Sequence, residues 1–445
     1  MNLSELIKKI IHSKSAINLN NEEHLELVKK VYGKYYNEKR VYEKMYRYYK
    51  GDTDAMRKYK FVTERSNSKI NTNFIKKFVK EEVAYTVGNP ITYESRGNDT
   101  NVIDDVTSLL NNWNKNHDCD LMKYLLVFTK VYELYYLDDG KLNSKIIKPT
   151  EGYAYSDSKG KVLFFIHCYK NEFDNVNNYI DVYTDSHIYH LDSRFKQISK
   201  PTEHLFTRVP ISIGMISEEG IEDSLYSDLK GIQDAFETNF SDSSNEISDF
   251  RNAYLKLLGC KINEEDLRKM KSLGILQSNS KDVDIDWLIK NINDTFIQNT
   301  LDREIDLMYQ ISCHINHNER LQSNLSGVTL ESRLIALKYK CTTLIGCHYN
   351  IVVSRLRFIC EYLNIKKNKN YDYMDVKVRY TPNIPKDDLS TAQMLSQVPE
   401  GTVSKKTGRT LFSFISNPDA EADKVKLEQE EELSIIGDNY LGGEK

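Results

Sequence analysis

"HNERLQSNLSGVTLESRLIALKYK", residues 317–340, joins two segments of opposite character. Up to Gly327 it is polar and irregular, whereas beyond Gly327 apolar residues recur at three- and four-residue steps, which predicts an amphipathic helix. The residues before it, 293–313, carry the same helical spacing. A hydrophilic segment between two apolar helices therefore needs a physical reason.

A further long helix is predicted over residues 219–250, where apolar residues again recur at helical spacing. At about 1.5 Å per residue, such a helix would span roughly 45 Å. Its other face carries a run of carboxylates that includes Asp234, Glu237 and Asp242. This face is the most acidic part of the chain before the C-terminal tail.

The helix after Gly327 is expected to begin at a cap formed by Ser326 or Thr329, with Glu331 in its positive first turn. Its apolar stripe is wide, so we expect this helix to be buried on more than one side. The stripe consists of Leu330, Leu334, Leu337, Cys341, Leu344 and Ile351, widened by Ile335, Ile345, Val352 and Ile359.

The first half of the chain mixes helices with short strands. From residue 131 to about residue 210, β-branched and aromatic runs alternate with turn signals such as DDGK and DSKG, which is typical of an antiparallel meander. Residues 253–290 have the pattern of a small strand–helix–strand insert. The expected fold class is therefore α+β and helix-rich. Helices of the first half are predicted within residues 21–50, 71–88, 102–116 and 120–130.

Charge is distributed unevenly along the 445 residues, which carry 61 Lys and Arg against 65 Asp and Glu. Residues 29–50 hold eight cations and two carboxylates, whereas residues 218–250 hold ten carboxylates and one lysine. Seven scattered cysteines favour a reducing compartment. No window approaches the about eighteen apolar residues of a membrane span, so we expect no membrane association.

The sequence lacks the common motifs of enzyme chemistry. It contains no GxxxxGK[ST], GxSxG or HExxH pattern. His187 and His190 are spaced so that, on a strand, their side chains point to opposite faces. Asp52 and Asp54 are expected to lie in a solvated turn. We therefore expect no catalytic residues, no metal and no cofactor.

The two charged helices allow a nucleic-acid interpretation. Lysines and arginines interleaved with tyrosines in residues 34–50 can hold phosphates and stack on bases. The alternative, which we favour, is an amphipathic helix with its tyrosines inward and its lysines in water. The acidic face of residues 219–250 would repel phosphates, so it is either a solvated face or a surface that lies beside DNA without gripping it.

Four blocks of the sequence are distinctive: YYKGD with NSKINTNFIKKFVKEEVAYTVGNPITY, then DLKGIQDAFETNFSDSSNEISDFRNAYLKLLG, then SGVTLESRLIALKYKC, and finally VRYTPNIPKD with VSKKTGRTLFSFISNPDAEADKVKLEQE. These blocks resemble the portal proteins of long-tailed phages of Gram-positive bacteria. They occur in the order found in that family and cover most of the chain. One departure is that GDTDAMRK lacks the isoleucine that often follows the glycine in the family.

The resemblance implies a ring of identical subunits, usually twelve, at one vertex of a capsid. The parts of each subunit would be the wing at residues 1–217, a stem helix at 218–252, the clip at 253–290, a second stem helix at 291–313, the tunnel loop at 314–327, a long kinked helix with a wing strand at 328–385, and the crown with the C-terminal tail at 386–445.

The same resemblance gives the opening segment a role. A tunnel loop projects into a water-filled channel that holds DNA, so it cannot be apolar. Gly327 would supply the hinge at the start of the following helix. The expected channel-facing side chains of the loop are His317, Asn318, Glu319, Arg320, Gln322 and Asn324.

Two further surfaces follow from the resemblance. Asp234, Glu237 and Asp242 would give the channel a repulsive lining along the stem. The clip has fewer than forty residues, too few to bury a core alone, so we expect it to contact neighbouring subunits. Leu273 and Trp287 would be its anchors.

The expected partners are copies of the chain itself, double-stranded DNA, the terminase large subunit, a head-completion adaptor, and the major capsid and scaffold proteins. The expected location is the virion, with the host cytoplasm during assembly. Two rivals remain: a nucleic-acid-processing enzyme that uses the basic N-terminal helices, and a minor capsid or scaffold protein that needs no channel loop. The missing catalytic motifs count against the enzyme.

Overall fold

The chain folds as a helix-rich α+β protein, as expected. No helix in the part of the chain described below is long and apolar enough to cross a membrane. The computed structural model describes residues 17–60, 67–97, 100–174, 178–250, 254–258, 264–265, 268, 272, 284–288, 294–316, 327–383, 388–399, 401–412, 414–415 and 418–441.

Helices make up most of these residues, and the three long ones of the second half lie where periodicity predicts them. The helix after Gly327 is unbroken over 41 residues. In chain order the α-helices are α1 (Glu22–Lys50), α2 (Asp54–Lys58), α3 (Phe74–Val87), α4 (Asn101–Leu110), α5 (His117–Phe128), α6 (Leu225–Phe250), α7 (Asp294–Ser312), α8 (Gly327–Lys367), α9 (Asp388–Gln397), α10 (Lys405–Leu411) and α11 (Pro418–Leu441).

The strands confirm the predicted meander, and every pairing is antiparallel. They form a three-stranded sheet β3–β2–β9, a five-stranded sheet β4–β5–β6–β7–β8, and the pairs β1–β12 and β10–β11. The strands are β1 (Thr92–Ser95), β2 (Lys130–Asp138), β3 (Lys141–Ile147), β4 (Gly152–Ser156), β5 (Val162–Tyr169), β6 (Tyr179–Tyr183), β7 (His187–Asp192), β8 (Thr202–Glu203), β9 (Ile211–Met215), β10 (Tyr254–Leu258), β11 (Asp284–Leu288) and β12 (Val376–Arg379).

Local caps decide where the helices begin and end. Gly51 adopts φ 86° and closes α1, as predicted. The prediction that α6 begins at residue 219 is wrong, because Ser224 is extended and its hydroxyl accepts a hydrogen bond from the Ser227 amide (3.0 Å). A serine in this position is an N-cap, so the α-helix starts at Leu225 and residues 220–223 form a separate 3₁₀ turn.

Helix α8 supplies much of the core. Leu337, Cys341, Leu344 and Ile351 of the predicted stripe are buried, whereas Ile335 is 46% exposed. The buried part of the stripe is thus narrower around Ile335 than farther along the helix. Farther along, Val352, Leu356 and Ile359 are also buried, so α8 is covered on more than one side.

The crossing of α8 over β9 requires a glycine. A Cβ atom on Gly214 would lie 2.3 Å from Cδ1 of Ile351 and 3.0 Å from Cγ1 of Val131. Both neighbours are buried in the same core, so neither can move away easily. The helix therefore sits on the sheet at a distance that only glycine permits.

A buried ionic network joins α8 to β2 and α5. Arg355 is 1% exposed; its Nε donates to Oε1 of Glu133 (2.9 Å), and its Nη1 lies 2.8 Å from Oδ1 of Asp118. Glu133, also fully buried, accepts a hydrogen bond from the Tyr135 hydroxyl (2.8 Å) and lies 2.7 Å from Nε2 of His117. Buried charges persist only when paired and hydrogen-bonded in this way.

The network makes Glu133 strongly acidic. Burial alone would raise the pKa of Glu133, but Arg355 and His117 outweigh it and lower the pKa from 4.5 to about 2. A carboxyl group whose pKa is depressed in the folded state stabilises that state above its ordinary pKa. This contribution should be lost as the pH falls from about 4.5 towards 2.

We predict that Arg355→Met lowers the free energy of unfolding at pH 7 by about 3–5 kcal/mol, because it leaves a buried carboxylate without its cation. Urea denaturation of the variant measures this. Arg357→Met, two residues later and only half-buried, is the matched control and should cost about 1 kcal/mol or less. Adding Glu133→Gln to Arg355→Met should recover part of the loss, and equal midpoints for the two arginine variants would contradict the prediction.

Candidate functional site

The acidic side of α6 does not face open solvent along its whole length, because part of it packs against the chain between α1 and α3. We call residues 51–60 and 67–73 of that chain the strap. Four polar side chains of α6 that face the strap recur every four residues and are fully buried. They are Gln233, Glu237, Ser241 and Asn245.

These side chains take up the backbone of the strap one after another. The amide of Ser68 donates to Oδ1 of Asn245 (2.7 Å), and the amide of Ile70 donates to Oγ of Ser241 (3.0 Å). Next along the chain, the amide of Thr72 donates to Oε1 of Glu237 (3.1 Å). A helix with a four-residue polar repeat thus satisfies every second amide of an extended segment.

Glu237 is the centre of this contact. Its Oε2 accepts a hydrogen bond from Oγ1 of Thr53 (2.6 Å), and its Oε1 also accepts one from Nε2 of Gln233 (2.9 Å). The structure therefore corrects the expectation that Glu237 lines a channel. A carboxylate with no exposed surface and four donors around it has a structural role.

Asp234 and Asp242 also bind within the chain, although each keeps some exposed surface. Asp234 accepts hydrogen bonds from the Tyr48 hydroxyl (2.9 Å) and from Nζ of Lys230 (2.8 Å). Asp242 accepts one from the Tyr59 hydroxyl (2.7 Å), and burial together with this bond raises the pKa of Tyr59 to about 12. Whether Asp234 and Asp242 face a channel stays a prediction.

The Asp52–Asp54 turn differs from the expected solvated turn. Asp54 lies 2.6 Å from Nζ of Lys44 and 2.9 Å from Nη2 of Arg47. Burial alone would raise the pKa of Asp54, but these two cations outweigh it and lower the pKa to about 2. Asp52 pairs with Arg57. The turn is thus an ion-pair cluster that fixes the start of the strap.

The basic face of α1 confirms the amphipathic interpretation. Tyr35, Tyr42 and Tyr48 are buried, as expected for tyrosines that point inward. On the outer side, Lys34 and Lys39 each lie within 4 Å of a glutamate four residues later. This pairing reduces the charge that α1 can offer to phosphates.

The two histidines of β7 have separate partners. Nδ1 of His190 lies 2.8 Å from Asp181, whereas Nε2 of His187 lies 3.7 Å from Glu203. Among the residues that the structure describes, no three His, Cys, Asp or Glu side chains come together as a group that could hold a metal ion.

The predicted tunnel-loop residues His317, Asn318, Glu319, Arg320, Gln322 and Asn324 lie outside the described residues. The two ends of the loop are described. At one end Cys313 adopts φ 62°, its amide donates to the Gln310 carbonyl, and the His314 amide donates to the Tyr309 carbonyl (3.0 Å), which together form a Schellman cap. At the other end Gly327 is the first residue of α8.

The predicted clip is described at its two strands and at residues 264–265, 268 and 272. Strands β10 and β11 pair antiparallel, and Leu255 lies opposite Trp287. Both strands were predicted, whereas Leu273 and most of the predicted helix between them lie outside the described residues. The role of Leu273 and Trp287 in contacts between subunits stays a prediction.

Apolar side chains remain exposed on the two helices that would form the stem. On α6, the stripe that is buried at Leu229 and Phe236 continues to Phe240 and Ile247, which are 38% and 63% exposed. On α7, Ile311 is 44% exposed, and Leu307 one turn earlier is similarly exposed. Apolar stripes that continue beyond the core of a single chain are typical of protein–protein contacts.

Comparison with known proteins gives one family match over most of the chain and a fold resemblance to solved structures. The profile described as "Phage portal protein, SPP1 Gp6-like" matches residues 28–434. The fold resembles a solved structure titled "Neck of empty GTA particle computed with C6 symmetry", with a TM-score of 0.50 at 11% identity over 76% of this chain and 89% of that chain. A chain from the virion of a native gene transfer agent (GTA) particle has a TM-score of 0.48 at 11% identity, over 76% and 88% of the two chains. No curated protein matches the chain.

We predict that Glu237→Gln lowers the free energy of unfolding by about 1–3 kcal/mol. A glutamine side chain has only one accepting oxygen. Its NH₂ group would therefore face an O–H or N–H group from which the Glu237 carboxylate now accepts a hydrogen bond. Urea denaturation measures the change, and Asp228→Asn, an exposed site on the same helix, should stay within about 0.5 kcal/mol of the wild type. A loss at Asp228 as large as that at Glu237 would show that only helix charge matters.

Proposed function

Because this chain belongs to the SPP1 Gp6-like family of phage portal proteins, we propose that its copies close into a ring at one capsid vertex. The ring conducts double-stranded DNA into the head during packaging and out of it during ejection. We propose twelve subunits and a phage of Gram-positive bacteria, as the sequence resemblance implies. The function is structural and not catalytic, and its place is the virion after assembly in the host cytoplasm.

The observation that carries ring formation is the exposed apolar stripe on α6 and α7. Phe240 and Ile247 are seven residues apart and therefore lie on one face of α6, while Leu307 and Ile311 lie on one face of α7. A monomer would keep these side chains in water at a cost of about 25 cal/mol for each Å² of apolar surface. A neighbouring copy of the same stem covers them.

We propose separate binding surfaces on the clip and on the wing for the other partners. A two-stranded sheet such as β10–β11 is marginally stable alone, which supports contacts between the clips of neighbouring subunits. We propose that the clip binds the terminase large subunit during packaging and a head-completion adaptor afterwards. The wing sheets contact the major capsid and scaffold proteins.

The tunnel loop faces the DNA in this proposal. Its polar side chains suit a water-filled channel, and Arg320 repeated around a ring would present a belt of positive charge to the phosphates. Such exposed contacts are individually weak and screened by salt, which suits sliding better than holding. The paired lysines of α1 give less support to the rival proposal of a nucleic-acid-processing enzyme.

We predict that the purified chain forms a closed ring and that Ile247→Asp or Ile311→Asp prevents closure, because each places a charge in an apolar contact. Native mass measurement over a range of protein concentrations gives the assembly state. Ile198→Asp, the same change at a 53% exposed isoleucine beside β7, is the matched control and should leave the ring intact. A wild-type chain that stays monomeric at every concentration would refute the ring.

We predict that deletion of residues 318–324 leaves the ring intact and lowers the amount of DNA that packaged heads retain. The deletion removes the polar side chains proposed to face DNA while keeping the described ends of the loop. Ring mass and DNA content per head are the measurements. Heads that retain the wild-type amount of DNA would remove the loop from the mechanism.

A further inference from the structure

Helix α3 contacts the chain on both sides of segment 317–326, at His314 before it and at Lys340 after it. On the first side, the imidazole of His314 stacks on the ring of Phe78, with ring centroids 4.4 Å apart and 28° between the planes. The side chain of His314 has no exposed surface, and its Nδ1 donates to the Ser312 carbonyl (2.8 Å). The last residue of the α7 cap is thus fixed against α3.

On the second side, Lys340 of α8 makes the connection. Its Nζ lies 2.7 Å from Oε1 of Glu82 on α3, and it also donates to the Ser312 carbonyl (3.2 Å). Lys340 lies thirteen residues after Gly327, which is about 20 Å along the helix. One ammonium group therefore holds a carboxylate of α3, the C-terminal end of α7 and the body of α8 together.

The charges explain why Lys340 is needed. Glu82 is fully buried, and burial raises its pKa although Lys340 opposes the shift. Burial, together with the charge of Lys340, lowers the pKa of His314 to about 3, so the imidazole is neutral near pH 7. Nε2 of His314 lies 3.7 Å from Glu82 but carries no compensating charge. Lys340 is thus the cation that offsets the Glu82 carboxylate.

Helix α3 is itself fixed at both ends. At its start, Nδ2 of Asn73 donates to the Tyr49 carbonyl (3.2 Å), next to the strap. Near its end, the Asn383 amide donates to the Tyr85 carbonyl (2.9 Å). Helix α3 therefore links the end of α7 and the body of α8 to the strap and to the residues that lead into the C-terminal helices.

We propose that Lys340 and Glu82 are positioning residues that hold the end of α7 and the body of α8 together on α3, and so set the relative placement of the two helices that flank segment 317–326. The proposal concerns the described ends of the segment, and its consequence for DNA rests on the proposed function. Without the Lys340–Glu82 contact, the end of α7 and the body of α8 are no longer held on the same helix, and we expect the DNA contacts made between these two helices to be less uniform around the ring.

Hydrogen–deuterium exchange of the assembled full-length protein tests the contact. In Lys340→Met, amides of residues 309–316 should exchange on the order of tenfold faster. In the wild type, local unfolding of these residues has to break the hydrogen bond between Lys340 and the Ser312 carbonyl, whereas in the variant this bond is absent. Amides of β5 should be unchanged, which distinguishes a local effect from general loss of stability. Lys338→Met, exposed on the same helix, is the matched control and should match the wild type.

A second variant separates positioning from a merely structural role. Lys340→Met leaves the buried Glu82 carboxyl without its cation, so the double variant Glu82→Gln/Lys340→Met should recover thermal stability while residues 309–316 still exchange fast. DNA retention in packaged heads should fall in both variants at unchanged ring mass.

Any one of four results would overturn the proposal. These are wild-type exchange at residues 309–316 in Lys340→Met, an equal effect of Lys338→Met, wild-type exchange in the double variant, and unchanged DNA retention. Failure of the wild-type chain to form rings would instead refute the proposed function, and the exchange comparison would still decide the contact.

Discussion

The pairing of Arg355 with Glu133 is the constraint on which the arrangement of the chain depends. Neither charge can leave water alone, so α8, β2 and α5 must meet at one point. One turn before Arg355, Ile351 fills the space above Gly214, so shape and charge fix the same face of α8 on the sheet. Since α8 begins at Gly327, this fixed crossing also decides the direction in which α8 continues from the residues before it.

The long helices and the meander could be predicted from the sequence because their apolar patterns are regular over many residues. Helix α7 and the strands β10 and β11 lie where spacing places them. The errors occur where one side chain decides the outcome, as when Ser224 caps α6 and delays its start. Exposure also depends on neighbours that periodicity does not reveal, which is why Ile335 belongs to the predicted stripe and still lies at the surface.

The site was harder to predict, because a charge count does not identify the partners of each charge. The strap residues that bind Glu237, Ser241 and Asn245 precede them by 165, 171 and 177 positions. A signal was nevertheless present, since polar residues that recur every four positions on a helix indicate a second, polar contact face. The acidic helix therefore uses part of its charge to hold its own chain, and less remains for a channel.

The distance between Arg355 and Glu133 along the chain, 222 residues, also limits how the protein can be divided. Residues 1–217 contain all strands of the two larger sheets, yet a fragment ending there would bury Glu133 without its guanidinium. That half is therefore not an autonomous folding unit. During synthesis from the N-terminus, its core stays incomplete until α8 leaves the ribosome, so subunits become competent for assembly only as nearly complete chains.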